Sequence, residues 1–112
     1  MKILVTSGGT SEAIDSVRSI TNHSSGRLGK LITETLLHAG HQVCLITTSQ
    51  AVKPSAQQGL TIIEIKNTAG LLQTMKDTIM DYQVLIHSMA VSDYTPVYMA
   101  GFDEVQASQD LT

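Results

Sequence analysis

A doubly wound α/β fold, with a mostly parallel sheet and helices on both faces, is predicted by three features of this 112-residue chain. Short apolar runs recur without polar alternation, as strands buried on both faces require. Two stretches between them carry apolar residues at helical spacing. The first apolar run stops at Ser7-Gly8-Gly9-Thr10, where a strand gives way to a tight turn. Taken in the order strand, helix, strand, strand, helix, strand, right-handed crossovers give a Rossmann-like sheet that binds ligands at the carboxyl ends of its strands.

Lys2 to Thr6 is the first strand. Ser11 to Ser25 is polar and irregular, carries Glu12, Asp15, Arg18 and Asn22, and is too long for a plain strand-to-helix loop, which marks it as functional. Leu28, Leu31, Ile32, Thr35, Leu36 and Ala39 then predict one apolar helix face, with Ser24 or Ser25 as the cap and Gly40 beyond the end. Gln42 to Thr47 and Thr61 to Ile65 are the second and third strands, joined by the Lys53 to Gly59 loop. Asn67 or Thr68 caps a second helix that turns Leu71, Leu72, Met75, Ile79 and Met80 inward. Gln83 to His87 is the fourth strand, and Val97 to Thr112 shows no sustained period.

The length suits a single domain, residues 1–112, with one core, and 42% hydrophobic against 15% charged residues fits a compact α/β protein. A net charge of −3 without any Lys/Arg run argues against nucleic acid or an anionic membrane as partner, since both need clustered positive charge. The single cysteine, Cys44, allows no intrachain disulfide and fits a reduced, cytoplasmic setting. No run approaches the roughly 20 apolar residues of a membrane span, and Ile3 to Val5 is too brief for a signal peptide. His38, His41 and His87 lack ligand spacing with carboxylates, so no structural metal is expected.

Candidate chemistry gathers in Asn22 to Lys30 and at two strand ends, Ser7 to Thr10 and His87 to Asp93. A polar loop that opens a glycine-rich helix offers unpaired amides and a positive dipole end to a phosphate. The glycines fit tight helix packing equally well. A dinucleotide fingerprint would need its glycines directly after the first strand, yet Gly26 and Gly29 come much later, and Thr47, Thr48 and Ser49 stand where an acid would hold a ribose. A P-loop fails at Ser24 and Leu31. Asn22 can donate to a developing oxyanion or simply shape a turn; Asp93 can accept from a base or sugar, hold a metal, or shape a turn likewise.

Two blocks carry a resemblance: Gly8-Gly9-Thr10-Ser-Glu12-Ala-Ile-Asp15-Ser-Val-Arg18-Ser-Ile-Thr-Asn22-His23-Ser24-Ser25-Gly26, and Met89-Ala90-Val91-Ser92-Asp93-Tyr94. Together they resemble the phosphopantothenoylcysteine synthetase (phosphopantothenate–cysteine ligase) family from Met1 to about Pro96. The resemblance implies a ligase of coenzyme A biosynthesis, in which 4′-phosphopantothenate is activated by CTP with Mg²⁺ and the acyl-cytidylate is captured by cysteine. It implies Asn22 as catalytic residue, Ser24, Ser25 and Gly26 as substrate loop, and Gly8, Gly9, His87, Ser88, Met89 and Asp93 as nucleotide contacts, in a homodimer. Family members of this kind are longer, and their second half supplies a lysine-rich motif. Here the lysines are Lys2, Lys30, Lys53, Lys66 and Lys76, none near Asp93 in sequence, so the chain is expected to be the N-terminal half of a longer synthetase domain and inactive alone. A non-catalytic nucleotide- or flavin-binding module is the competing reading.

Overall fold

The computed structural model describes residues 1–13, 19–21 and 24–91. Its elements are β1 (Lys2–Thr6), β2 (Ser11–Ala13), β3 (Ser19–Thr21), α1 (Arg27–His38), β4 (Gln42–Thr47), β5 (Leu60–Glu64), α2 (Thr68–Thr78) with a 3-10 turn at Ile79–Asp81, and β6 (Val84–His87). Four strands form a parallel sheet in the order β5-β4-β1-β6, with Leu4 beside Cys44 on one flank and Leu85 on the other. The chain runs outward from β1 to β4 and β5, then returns through α2 to β6 on the opposite side, so the winding reverses at β1 and the predicted doubly wound fold is present. The polar stretch read as an irregular loop contains a small antiparallel pair, β2 with β3, in which Ser11 faces Thr21.

Strand alternation divides the core between the two faces. Leu4, Cys44 and Ile46 pack with Leu71 of α2, while Ile3, Val5, Val43 and Leu45 lie under Ile32, Leu36 and Leu37 of α1. Each such fully buried aliphatic side chain contributes on the order of 1.5–3 kcal/mol. The Cys44 thiol is raised in pKa by burial, against a hydrogen bond with Tyr82 that lowers it, so it stays neutral and serves as a small apolar group.

Neither helix turns inward the whole face expected from periodicity. On α1 the inward positions are Gly29 and Thr33, with Ile32, Leu36 and Leu37 alongside, whereas Leu28 and Leu31 are 62% and 61% exposed. The cause is Gly29. A Cβ on it would sit 2.1 Å from Ser7 Cβ, so α1 touches the end of β1 through bare backbone and its larger neighbours turn outward. On α2, Leu71 and Met75 face the core, but Leu72, Ile79 and Met80 are exposed, Met80 at 90%. The α-helix stops at Thr78, and the 3-10 turn that follows carries Ile79 and Met80 out of the expected face. The Asn67 cap is present, its Oδ1 accepting from Gly70 N at 2.8 Å.

Gly29→Ala tests this contact. Helix propensity favours alanine by about 0.8–1 kcal/mol, but overpacking a close contact costs about 1–3 kcal/mol, and the displaced neighbour is strand-bound Ser7 rather than a flexible side-chain tip. Urea unfolding is therefore expected to show net destabilisation. A stabilised variant would contradict the close approach.

Candidate functional site

Three loops converge over the carboxyl ends of β1, β4 and β5. The 7–10 turn is fixed to β4 by Ser7 N donating to Ile46 O (2.9 Å) and Ser7 Oγ to Thr47 Oγ1 (3.0 Å). Gly26, immediately before α1, takes φ 80°, and a Cβ there would lie 2.8 Å from Ala51 Cβ. Only glycine adopts that conformation so close to a neighbouring loop without strain. Val52 N donates to Ser25 O at 2.9 Å, which joins the substrate-loop candidate to the loop after β4. Lys53 ties that loop to β5: its ammonium donates to Ser49 O (3.0 Å) and Ala51 O (2.9 Å) and lies 3.4 Å from the Glu64 carboxylate. Such an exposed ion pair contributes little stability; its effect here is to hold the loop in place.

Between these loops opens a cleft of about 830 Å³. It is lined by Gly9, Ser11 and Thr21, by Ser24 and Ser25 just before α1, by Thr48 to Gln50 after β4, and by Glu64 to Lys66 at the end of β5. The volume suits a small-molecule site. Its lining combines the hydroxyl side chains of Ser11, Thr21, Ser24, Ser25, Thr48 and Ser49 with Gln50, Glu64 and Lys66, donors and acceptors that suit a polar ligand. The serine cap expected for α1 takes another form: Gly26 occupies the N-cap with no side-chain bond, and Ser25 Oγ accepts from Arg27 N at 3.3 Å.

A second polar cluster lies where the winding reverses, between β1 and β6. Thr6, fully buried, accepts from Met89 N at its Oγ1 (3.3 Å) and pairs through the same oxygen with His87 Nδ1 (2.7 Å). Ser88 donates to Thr6 O through both N (3.1 Å) and Oγ (2.5 Å). Pairing continues past the strand ends as a Gly9–Ala90 bridge, with Ala90 N donating to Gly8 O and Thr10 N to Ala90 O.

Of the residues singled out from sequence, Gly9, Ser24 and Ser25 line the cleft, and Gly8 and Gly26 shape the loops around it. His87, Ser88 and Met89 sit across the β1 extension and do not line it; the Met89 side chain belongs to the core. Asn22 and Asp93 fall outside the described residues. Sequence reasoning did not single out Ser11, Thr21, Gln50 and Glu64 to Lys66, although the ends of β4 and β5 lie where the strand-end rule for this fold directs attention. Among the described residues no group of three His, Cys, Asp or Glu is placed to hold a metal ion, and no helix is long and apolar enough to cross a membrane.

The fold and the cleft together define a Rossmann-like α/β domain with a hydroxyl-lined cleft at its strand ends. The family model described as DNA/pantothenate metabolism flavoprotein C-terminal domain matches residues 1–105, and the chain belongs to that family. A crystal structure of the DNA/pantothenate metabolism flavoprotein from Streptococcus pneumoniae is 72% identical, with a TM-score of 0.89 over 99% of this chain and 48% of that one. The coenzyme A biosynthesis bifunctional protein CoaBC of Vibrio vulnificus is 34% identical over 98 residues, 88% of this chain and 24% of that protein. A Cab2 mutant solved in complex with phosphopantothenate-cysteine shares the fold, at 17% identity and a TM-score of 0.76, over 88% of this chain and 49% of that one. The chain thus spans about half the length of these solved relatives and about a quarter of the curated one. The resemblance to the phosphopantothenoylcysteine synthetase family is borne out.

Thr6→Val keeps the volume and removes the hydroxyl that serves Met89 N and His87. Leaving a buried donor unsatisfied costs about 1–3 kcal/mol, so urea unfolding is expected to show a loss of that size. A change below about 0.5 kcal/mol, the usual scale for inconsequential substitutions, would show that the hydroxyl is dispensable.

Proposed function

We propose that the protein carrying this chain is a phosphopantothenate–cysteine ligase of coenzyme A biosynthesis that uses CTP. The observation that carries the reading is the hydroxyl-rich cleft faced by Ser24 and Ser25 beside α1, in a chain of this family. The carboxylate of 4′-phosphopantothenate attacks the α-phosphate of CTP and expels pyrophosphate. The cysteine amine then attacks the acyl-cytidylate carbonyl, gives up a proton and releases CMP as the amide forms. The substrate carboxylate is itself the nucleophile, so the protein's part is to gather the reactants and exclude water, which replaces slow bimolecular encounters with attack inside one cleft.

Ser24, Ser25 and Gly26 are proposed to bind 4′-phosphopantothenate, and Asn22 to donate to the acyl carbonyl as it gains negative charge. Gly8, Gly9, His87, Ser88 and Asp93 are proposed to hold the nucleotide, with Met89 contributing backbone, since its side chain is in the core. The described residues supply no carboxylate cluster for Mg²⁺; the ion is proposed to arrive on the triphosphate, as this hard cation commonly does, and no step is assigned to it. A homodimer in the cytoplasm completes the proposal.

The intact protein with Mg²⁺, CTP, 4′-phosphopantothenate and cysteine is expected to release pyrophosphate and form the amide. No pyrophosphate, or FMN binding without any response to CTP, would contradict the proposal. Loss of one oxyanion donor lowers turnover by about 10²–10³-fold, so Asn22→Ala is expected to slow amide formation on that scale while pyrophosphate release continues.

A further inference from the structure

Glu12 is 6% exposed, in a two-stranded arm outside the main sheet. A carboxylate so placed is costly unless something compensates it. Its Oε1 accepts from the backbone N–H of Thr68 at 2.9 Å, the first residue of α2, 56 positions away in sequence. The positive end of the helix dipole favours an anion there. The helix does not depend on Glu12 for its cap, because Asn67 already accepts from Gly70 N. The bond therefore joins two separate parts of the molecule.

What it joins is specific to the cleft. One residue before Glu12, Ser11 N donates to Lys66 O at 2.7 Å, and Ser11 Oγ pairs with Thr21 Oγ1 at 2.6 Å across the arm. Ser11, Thr21 and Lys66 all line the cleft. Glu12 and Ser11 thus fasten the arm to the segment linking β5 to α2, and so fix Ser11 and Thr21 relative to Lys66 in the cleft lining. Ser24 and Ser25, the proposed 4′-phosphopantothenate contacts, line this same cleft, whereas Thr6 and His87 do not.

We propose that Glu12 is a positioning residue: through its hydrogen bond to Thr68 N it holds the β2–β3 arm, and with it Ser11 and Thr21, at the spacing that binds 4′-phosphopantothenate. This rests on the ligase reading given above. Losing a hydrogen bond to a charged group weakens what depends on it by about tenfold or more.

In the intact protein, Glu12→Ala is expected to raise KM for 4′-phosphopantothenate by about tenfold while kcat and the KM for CTP change less than about threefold. Glu12→Gln keeps an oxygen for Thr68 N and is expected to restore the KM for 4′-phosphopantothenate to within about threefold of the wild type. A general loss of structure would move all constants together. Unchanged KM in Glu12→Ala, equal changes in both KM values, or no recovery in Glu12→Gln would overturn the proposal. Amide hydrogen exchange supplies a readout that does not need activity: Glu12→Ala is expected to speed exchange at Ser11–Ala13, Ser19–Thr21 and Thr68 and leave β1 and β4 unchanged, and unaltered exchange in the arm would overturn the clasp. Should the wild-type protein show no ligase activity, the functional reading fails, and the exchange result still decides the role of Glu12 as an anchor.

Discussion

Gly29 resting on the end of β1 is the contact on which the rest of this architecture depends. With 2.1 Å from an added Cβ to Ser7 Cβ, no other residue can stand there at the same helix-to-sheet distance. The contact fixes both the height and the rotation of α1. It places the helix start, and with it Ser25 and Gly26, beside Ala51 and Val52 of the loop after β4. Were α1 lifted by the width of a methyl group, the Ser25–Val52 hydrogen bond would have to lengthen and the cleft end beside the helix would open.

Such tight approach at the strand ends buries polar groups, and the chain meets this with hydroxyls rather than charges. Thr6, Ser7, Thr10, Thr47 and Thr48 are all buried at the ends of β1 and β4. Most of the bonds join elements: Ser7 to Thr47, and Thr6 to Met89 and His87. A hydroxyl donates and accepts at once in the space of a methyl group, so it satisfies turning backbone without the desolvation penalty of an ion. Among the described residues Glu12 is the buried exception, and its carboxylate meets a helix N-terminus.

The sheet was legible in the sequence because parallel strands buried on both faces leave unbroken apolar runs, and Lys2–Thr6 and Gln42–Thr47 stand as expected. The Asn67 cap was legible for a similarly local reason. The rotation of α1 was not, since periodicity ranks leucines above glycine and gives no weight to a residue whose contact is its lack of a side chain. The β2–β3 pair escaped because strands of three residues in a polar stretch carry no hydrophobic alternation. Ser24 and Ser25 were found from a motif, whereas Glu64 to Lys66 reach the cleft only through sheet order, which places β5 beside β4.

The central claim is that 4′-phosphopantothenate occupies the cleft between Ser24–Ser25 and Thr48–Gln50, with the nucleotide running from Gly9 toward the side of β1 where His87 lies. A crystal structure of the intact protein with 4′-phosphopantothenate tests it most directly. The account predicts the ligand in that cleft, within hydrogen-bond distance of Ser24 or Ser25; density for it elsewhere, with the cleft filled by solvent, would contradict the account.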